Sequence, residues 1–429
     1  MEIKRDKYLN DLVIRMHSGM IKVITGIRRC GKSYLLLNLF EDYLHSNGVD
    51  DGHIIEVVLD DEENEELRDP KRLSAYLRSR IGKDPEVYYV LLDEVQYAIS
   101  DRELRDKDNP PRLYGVLNGL LRLRNVDVYV TGSNSKLLST DVMTEFRGRG
   151  DEVRIHPLSF SEFMQGFDGD VAHGWAEYSI FGGMPLTLSM VSDEQKSRYL
   201  ERLFTETYLT DIVARNRLNK TQELEDLIDV LASNIGSLTN PPKIEATFKS
   251  AMHSKISSNT ISSYIGYLEE AFLVEEARRY DVKGRKYIGS PKKYYFEDIG
   301  LRNARLGFRQ TEQTHIMENA VYNELRIRGY SVDVGVVRKR GTENGHEYRR
   351  DLEVDFVANL GSRRYYIQSA YQLPTPEKTA QEKASLIEIP DSFKKVVLVR
   401  DVVKPTRDEH GILTLSLYDF LLDQGSLDL

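Results

Sequence analysis

The most constraining feature of this sequence is the octapeptide Gly26-Ile-Arg-Arg-Cys-Gly31-Lys32-Ser33, which fits the pattern G-x-x-x-x-G-K-S at every fixed position. An apolar run, Ile21 to Thr25, precedes it and a helical pattern follows it, and this is the context that the motif requires. Glycines let backbone N–H groups close around a phosphate, and a helix N-terminus adds a favourable dipole. The pattern therefore predicts a phosphate-binding loop, against the alternative of a chance glycine-rich turn.

The side chains of this loop have expected roles in binding a nucleotide. Lys32 would reach the β- and γ-phosphates, and the hydroxyl of Ser33 would hold Mg²⁺. Cys30 is interpreted as filling a small variable position beside a helix N-terminus. The residues predicted to bind ATP with Mg²⁺ are Gly26, Arg28, Arg29, Cys30, Gly31, Lys32, Ser33 and Tyr34.

A second apolar run, Val87 to Leu92, ends in two adjacent carboxylates, Asp93 and Glu94. Neighbouring residues of a strand point to opposite faces, so Asp93 can hold the metal while Glu94 orients or deprotonates an attacking water. The alternative is a solvated strand end. An acid pair also favours water over a substrate hydroxyl as the nucleophile, which predicts ATP hydrolysis rather than the reaction of a small-molecule kinase.

Small polar side chains follow the apolar run from Val126 to Thr131. Ser133 and Asn134 are the candidates for sensing the γ-phosphate, and Asn134 is counted among the predicted catalytic residues. Thr131 is expected to be engaged in the turn at the end of the strand. An ordinary helix cap is the alternative for this segment.

Exposed arginines are expected shortly afterwards, in the run Phe146-Arg147-Gly-Arg149-Gly. An arginine finger stabilises the charge that spreads over the transferring phosphoryl oxygens, and a neighbouring subunit can supply it. Arg149 is the predicted catalytic arginine. A surface or salt-bridge arginine is the alternative.

Composition limits the class of protein. A chain of 429 residues exceeds what one core usually organises, so two to four domains are expected. A net charge of −9 describes an acidic protein whose nucleic-acid contacts would come from a local basic face. The N-terminus has no apolar signal core, and no stretch approaches the roughly 18 to 20 apolar residues that span a bilayer, which predicts a cytoplasmic protein without membrane contact. The single cysteine excludes an internal disulfide.

From Ile21 to about Ser159, short apolar runs alternate with helical patterns, which predicts an α/β fold with a parallel sheet covered by crossover helices. The stretch from 166 to 230 reads as mainly helical, the element order from 231 to 310 suits a winged helix-turn-helix, and 311 to 429 reads as a separate α/β domain. The predicted strands are Ile21–Thr25, Ile54–Leu59, Val87–Leu92 and Val126–Thr131, and the predicted helices between them are Lys32–His45, Lys71–Ile81 and Arg112–Arg124.

These motifs together resemble a widespread family of archaeal and bacterial AAA-type ATPases that join a P-loop core to a C-terminal domain of unknown function. The resemblance covers nearly the whole chain. It implies an AAA-like sheet within 1–165, a helical lid within 166–230, a winged helix within 231–310 and a domain similar to restriction-endonuclease-type nucleases within 311–429. It implies no settled biological role. The segments that carry it are 26–33, Leu92–Gln96, Thr131-Gly-Ser, Pro157–Phe163, Gly182–Pro185 and Tyr208–Ile212.

The stretch Arg278–Lys293 holds seven basic residues and one acidic residue, interleaved with two tyrosines. In a winged helix this stretch would be the wing, which contacts phosphates, and Ser257–Tyr267 would be the recognition helix in the major groove of duplex DNA. That helix offers serine, asparagine and tyrosine, which predicts salt-sensitive backbone contact rather than base reading. The alternatives are protein contacts or a solvated basic face.

In the last domain the resemblance implies that Glu318 and Asp355 correspond to the helix acid and the metal-binding acid of the nuclease fold. Gln368 and Ala370 stand where that fold keeps an acid and a lysine, and metal-dependent nucleases need both. The domain is therefore predicted to be a degenerate binding or docking platform in which Glu318 caps or pairs. The alternative is residual cutting through Glu353 and Asp355.

The leading hypothesis is a DNA-associated ATPase in which nucleotide state reorients the winged helix and the nuclease-like domain. Homo-oligomers are a predicted option, in which Arg149 completes the site of a neighbour. The competing hypothesis is a slow nucleotide-gated switch or scaffold that acts through protein partners, and Glu94 argues against it because a passive binder does not need that acid. An active nuclease is disfavoured by Gln368 and Ala370.

Overall fold

The computed structural model describes residues 3–100, 102–103, 106, 109–132, 149–218, 221–310, 312–343 and 346–429, with the backbone alone at 340–343 and 346. Contacts divide the chain into two units. One comprises Glu2–Pro157 and Glu270–Phe272, and the other comprises Leu158–Glu269 and Leu273–Leu429. Within the described ranges, no helix is both long and apolar enough to cross a membrane.

A parallel sheet of five strands organises the first unit, in the order β2-β3-β4-β1-β5. The α/β fold class is confirmed, and each of the four predicted apolar runs is a strand. The sequence analysis missed β5, because this edge strand is largely polar and has only two buried residues. The strands are β1 (Ile21–Thr25), β2 (Ile54–Val58), β3 (Tyr88–Asp93), β4 (Val126–Thr131) and β5 (Gly150–Arg154).

Helices cover this sheet, and their apolar faces explain where they form. Leu73 and Leu77 lie one helical turn apart and are buried with Leu113 and Leu117 in a core that includes side chains of β1 to β4. The helices are α1 (Asp6–Ile14), α2 (Lys32–Tyr34, continued by π-helical Leu35–Phe40 and by Glu41–Ser46), α3 (Pro70–Arg80) and α4 (Arg112–Leu120). The arrangement places the loop before α2 at the carboxyl end of β1, next to the carboxyl end of β4.

Helices dominate the next part of the chain. Several of them begin at side-chain caps that their sequences encode: for example, Ser159 and Glu162 form a capping box, and Asn240 accepts a hydrogen bond from the N–H of Lys243. The helices are α5 (Phe160–Gly166), α6 (Val171–Phe181), α7 (Asp193–Arg202, continued by π-helical Leu203–Leu209 and by Thr210–Asn216), α8 (Thr221–Ser233), α9 (Pro241–Ala251), α10 (Ser258–Glu270), α11 (Ile299–Arg305), α12 (Gln313–Ile327), α13 (Pro376–Ile387) and α14 (Leu417–Leu422).

A mixed sheet of eight strands organises the second unit, in the order β12-β13-β11-β10-β9-β8-β6-β7. The hairpin β6–β7 falls in the third predicted domain and β8 in the fourth, yet β6 pairs with β8 in parallel. The predicted domain bounds stay predictions. The strands are β6 (Val274–Asp281), β7 (Lys286–Phe296), β8 (Ser331–Glu343), β9 (His346–Leu360), β10 (Arg363–Ala370), β11 (Lys394–Val399), β12 (Thr406–Arg407) and β13 (Leu413–Ser416).

The turn at Gly182–Pro185, one of the segments that carry the family resemblance, is held by a buried carboxylate. Asp298 accepts hydrogen bonds from the N–H groups of Gly183 at 2.7 Å and Leu301 at 2.9 Å. A Cβ on Gly183 would lie 2.2 Å from the carbonyl oxygen of Leu158, so only glycine fits there. Burial raises the pKa of Asp298 to about 6, and the hydrogen bonds from backbone N–H groups oppose that increase.

Candidate nucleotide-binding site

The phosphate-binding loop joins the end of β1 to the first residue of α2, and its two outer glycines have conformations that L side chains rarely adopt. Gly26 has φ of +143° and Gly31 has φ of +102°. A Cβ on Gly26 would also lie 2.1 Å from the carbonyl oxygen of Ile155, far inside van der Waals contact. The loop backbone therefore requires glycine at position 26 on two independent grounds.

Residues distant in sequence support this loop. Arg5, just before α1, is buried and donates hydrogen bonds to the carbonyl oxygens of Cys30 at 3.0 Å and His156 at 2.8 Å. Cys30 is also buried, with its Sγ atom 3.6 Å from the carbonyl oxygen of Ile155. The sequence analysis missed Arg5, because a lone arginine near a chain start carries no local signal of such a role.

Lys32 is buried although it carries the ammonium expected to bind phosphate. Its Nζ atom donates to two carbonyl oxygens of its own loop, those of Gly26 at 3.2 Å and Ile27 at 3.1 Å. The loop backbone thus holds the ammonium in place. The other predicted nucleotide-binding side chains are half-buried at Arg28 and Ser33 and exposed at Arg29 and Tyr34.

The predicted metal-binding residues, Ser33 and Asp93, lie close enough to interact, and the hydroxyl of Ser33 favours the charged form of the Asp93 carboxylate. Asp93 is buried at the end of β3, and the hydroxyl of Thr131 at the end of β4 also donates to its carboxylate. Burial raises the pKa of Asp93, while the bonds from Thr131 and Ser33 and the charge of Lys32 oppose that increase. The structure therefore brings Lys32, Ser33 and Asp93 together at one edge of the sheet.

Glu94 follows Asp93 in a left-handed backbone conformation, with φ of 51°. Its N–H donates to the hydroxyl of Thr131 at 3.0 Å, and its carboxylate accepts a hydrogen bond from the side-chain amide of Gln96. Left-handed conformations at residues other than glycine cost roughly 1 to 3 kcal/mol and cluster at functional sites. Thr131, expected only to close a turn, thus links the two acidic residues.

The structure does not bring Arg149 to the loop of its own chain. Arg149 is exposed, and its carbonyl oxygen accepts a hydrogen bond of 2.8 Å from the N–H of Ile21, at the start of β1. The loop follows the other end of this five-residue strand, which spans about 16 Å. Ser133, Asn134 and Arg147 lie outside the described residues.

The basic stretch Arg278–Lys293 exposes fewer basic side chains than its composition predicts. Lys293 is buried with its ammonium among carboxylates, so its assignment to a DNA-contacting surface is wrong. Lys292 pairs with Glu276, and Lys283 lies 3.5 Å from Glu388. Sequence composition counts such charges equally, whereas pairing and burial depend on distant residues. The exposed basic residues of the stretch are Arg278, Lys283, Arg285 and Lys286.

In the region predicted to be nuclease-like, the ammonium of Lys293 lies among the carboxylates of Glu318, Glu353 and Asp355. Glu318 therefore pairs, which was one of its two expected roles. Lys293 lies 2.8 Å from Glu318 and 2.8 Å from Glu353. Gln368, in contrast, donates from its amide to Glu382 on α13 at 3.3 Å. Sequence reasoning placed Lys293 on the DNA-contacting surface rather than beside these acids, because nothing local distinguishes it from Lys292.

Family comparisons agree with this geometry. Residues 18–164 match the AAA domain family, and residues 172–312 match a domain of unknown function (DUF8612). The parallel sheet and its glycine-rich loop define the first unit as an AAA-type P-loop domain.

Two relatives of nearly full length extend the comparison. An uncharacterized protein of Haemophilus influenzae is 32% identical over 425 residues, which cover 98% of either chain, and our chain belongs to the same family as that protein. An uncharacterized protein of Methanocaldococcus jannaschii is 28% identical over 400 residues, 89% of our chain and 81% of its own. Neither relative's name supplies an activity.

The solved structures that resemble this chain do so only weakly. The Aeropyrum pernix ORC1 protein in complex with DNA is 14% identical and has a TM-score of 0.29, with 71% of our chain and 92% of its own covered. Similarity at this level carries no argument about what our chain binds.

Proposed function

We propose that the protein is a Mg²⁺-dependent ATPase whose nucleotide state controls a DNA-contacting module built from a winged helix and a nuclease-like domain. The observation that carries the ATPase proposal is the meeting of Lys32, Ser33 and Asp93 at the end of β1, with Glu94 next to them. These groups are the ones needed to bind a triphosphate, hold its metal and activate water.

The residues present suit both ATP and Mg²⁺. A serine hydroxyl and a carboxylate are hard oxygen ligands of the kind that Mg²⁺ prefers, and those of Ser33 and Asp93 already contact each other. The absence of a Cβ at Gly26 and Gly31 lets backbone N–H groups approach a phosphate closely. Magnesium, when bound, would neutralise charge on the phosphate oxygens.

Glu94 is the group that turns a binding site into a hydrolytic one. It is half-buried beside Asp93, and a hydrogen bond from Gln96 orients its carboxylate. A carboxylate that accepts a proton from water, or orients it, contributes typically 10²- to 10⁴-fold to a rate. We assign Glu94 that role.

The nucleotide-binding step is tested by calorimetric titration of Mg-ATP into wild type and Lys32→Ala. We expect Lys32→Ala to weaken affinity at least about tenfold, the loss of one charge-assisted contact. Lys83→Ala, which removes an exposed lysine of the same unit, should bind as wild type does. Equal affinity of wild type and Lys32→Ala would contradict the assignment.

The order of elements from α8 to β7 supports a winged helix. Three helices, α8, α9 and α10, precede the hairpin β6–β7. Between α8 and α9, Thr239 pairs with Lys292 of β7 through backbone hydrogen bonds of 2.8 and 2.9 Å, which form an isolated β-bridge to the hairpin. Three helices with such a hairpin are the parts from which a helix-turn-helix and its wing are built.

Two surfaces of this region would contact DNA. The helix α10 exposes Asn259, Ser262 and Ser263, whose polar side chains would contact phosphates without reading bases specifically. Arg285 and Lys286 are exposed where the hairpin turns. They replace the longer stretch 278–293 as the proposed cationic contact.

Charge reversal tests this contact. Binding of a fluorescent duplex is measured with and without ATP over a range of salt concentrations, for wild type and for Arg285→Glu/Lys286→Glu. Loss of two phosphate contacts should weaken binding and reduce the salt slope by about 2. Arg198→Glu/Arg202→Glu, which reverses two exposed arginines of α7, should leave both unchanged.

The competing function, a nucleotide-gated scaffold for protein partners, is favoured by one observation. Three of the seven basic residues in 278–293 are engaged by acids, namely Lys283, Lys292 and Lys293. If wild type shows no salt-dependent duplex binding, with ATP or without it, the scaffold replaces the DNA-contacting module.

Arg149 remains our proposed arginine finger, supplied in trans by a neighbouring copy, since its backbone lies at the start of β1 and its own loop follows the other end of that strand. Mixing tests this proposal. Arg149→Ala has an intact phosphate-binding loop, and Lys32→Ala has an intact Arg149. Each variant alone should be inactive. In an equimolar mixture, Arg149 of a Lys32→Ala copy can complete the site of an Arg149→Ala copy, so part of the ATPase activity should return. A mixture as inactive as its components, or an Arg149→Ala protein as active as wild type, would contradict it.

A further inference from the structure

Lys293 of β7 is a buried lysine whose ammonium lies among carboxylates. Its side chain is 3% exposed, and Nζ lies 2.8 Å from Oε1 of Glu318 on α12. On β9, Oε1 of Glu353 lies 2.8 Å from the same atom and Oδ1 of Asp355 lies 3.9 Å away. One ammonium thus meets three carboxylates from two elements.

The surroundings of Glu318 and Asp355 are closed, whereas the side chain of Glu353 is 36% exposed. Tyr295, which is fully buried, donates to Oε1 of Glu318 at 2.6 Å, and the N–H of Ser369 donates to Oδ2 of Asp355 at 2.8 Å. A Cβ on Gly236 would lie 3.0 Å from the carboxylate of Glu318, so the backbone covers that side as well. Protein donors take the positions that water would fill around a hydrated ion.

Electrostatics keep Lys293 charged. Burial lowers its pKa, but the charges of Glu318, Asp355 and Glu353 outweigh burial and raise that pKa above the ordinary value. Burial, with the neighbouring charge of Glu318, raises the pKa of Asp355, and Lys293 opposes that increase. The cluster therefore depends on its single cation.

The resemblance to nucleases implies a divalent metal at these acids, and the residues present do not fit one. Mg²⁺ demands near-octahedral oxygen ligands and usually keeps several waters, whereas here an ammonium contacts the acids and Gln368 is bonded to Glu382 instead. Throughout the described ranges, no group of three or more His, Cys, Asp or Glu side chains is arranged to hold a metal ion.

We propose that the ammonium of Lys293 is an internal substitute for the divalent cation at this nuclease-like site. It satisfies the charge of Glu318, Glu353 and Asp355, and it fastens the hairpin β6–β7 to α12 and β9. While Lys293 is present, the site takes no divalent ion and cuts no phosphodiester. Removal of the ammonium leaves buried carboxylates that a divalent ion can then neutralise.

Mn²⁺ is the probe, because its electron paramagnetic resonance signal reports free and bound ion directly. Titrations are carried out without nucleotide on the full chain. Asp355→Asn defines the site, since only Mn²⁺ held by these acids is lost in that variant. Lys293→Met keeps the length of the side chain and removes its charge. Lys292→Met, on the adjacent residue of β7 that pairs with Glu276, is the matched control.

We expect wild type, Lys292→Met and Asp355→Asn to bind the same amount of Mn²⁺. Lys293→Met should gain one equivalent, which Lys293→Met/Asp355→Asn loses. Mn²⁺ binding in wild type that Asp355→Asn removes would overturn the proposal, and so would a folded Lys293→Met protein that gains no site. If Lys293→Met fails to fold, the comparison of wild type with Asp355→Asn still decides.

Discussion

The guanidinium of Arg5 donates a hydrogen bond of 3.0 Å to the carbonyl oxygen of Cys30, inside the phosphate-binding loop. Its other arm reaches the carbonyl oxygen of His156 at 2.8 Å. The loop that closes around phosphate is therefore held by the segment that precedes α1 and by the residues after β5. Its shape depends on more of the first unit than the octapeptide itself.

Removal of this support should weaken nucleotide binding without changing any residue that contacts the nucleotide. We expect Arg5→Ala to raise the Kd for Mg-ATP about tenfold, because a hydrogen bond from a charged group is worth about 1.5 to 3 kcal/mol. Calorimetric titration measures the change. Lys7→Ala, on α1, removes a partly exposed pair with Asp11 and a contact with the ring of Tyr8, and it should bind as wild type does. An Arg5→Ala protein with wild-type affinity would show that the loop keeps its shape unaided.

A buried ion pair joins two neighbouring strands, β1 and β4, of the same sheet. Lys22 of β1 pairs with Asp127 of β4, and both are buried. Asp127 also accepts hydrogen bonds from the hydroxyl of Tyr129 at 2.9 Å and the N–H of His17 at 3.0 Å. Burial lowers the pKa of Lys22, and the charge of Asp127 opposes that decrease.

Removal of one partner of this pair should lower the free energy of unfolding more than replacement of both partners by apolar side chains. Asp127→Ala leaves an uncompensated buried ammonium, and we expect a loss of about 3 to 5 kcal/mol in the free energy of unfolding, measured with urea. Lys22→Met/Asp127→Leu should recover part of that loss, because buried pairs are often replaceable by apolar side chains, whereas Tyr129 and His17 still lose their acceptor. A double variant no more stable than Asp127→Ala would contradict this account.

Glu269 of α10 should make stability depend on pH. Burial, with the charge of Glu276, raises its pKa from 4.5 to about 7. Between these pH values the folded state binds a proton that the unfolded state releases, so stability falls as pH rises from 4.5 to 7 and then levels off.

Removing this titration should flatten the profile. At pH 8, Glu269→Gln should be more stable than wild type by at most about 3 kcal/mol, which corresponds to a difference of about 2.5 in pKa. Urea unfolding at pH 5.5 and pH 8 measures both proteins. Glu201→Gln, an exposed control on α7, should retain the wild-type dependence on pH. A Glu269→Gln protein with that same dependence would exclude Glu269 as its source.

The parts of the fold and site that the sequence predicts are those with local signals. Buried parallel strands such as β1 and β4 are mainly apolar, so four of the five strands are visible as runs. The loop and the pair Asp93–Glu94 are visible because their residues lie next to those strands. Short-range spacing encodes all of these features.

The rest depends on pairing between distant residues. The strand β5 has only two buried residues and is largely polar, so it lacks an apolar run. Arg5 meets Cys30 and Lys293 meets Glu318 only after the chain has folded. No spacing rule separates Lys293 from the exposed lysines near it. The sequence therefore assigns too many basic residues of 278–293 to a DNA-contacting surface.

Replacement of Glu94 by glutamine tests the central claim most directly, because it separates hydrolysis from binding. We expect Glu94→Gln to bind Mg-ATP with an affinity close to that of wild type and to hydrolyse it about 10²- to 10⁴-fold more slowly. The exposed Glu86→Gln serves as the control and should hydrolyse ATP at the wild-type rate. Equal turnover by wild type and Glu94→Gln, measured as phosphate release at saturating Mg-ATP, would contradict the claim that this site is an ATPase centre built around Glu94.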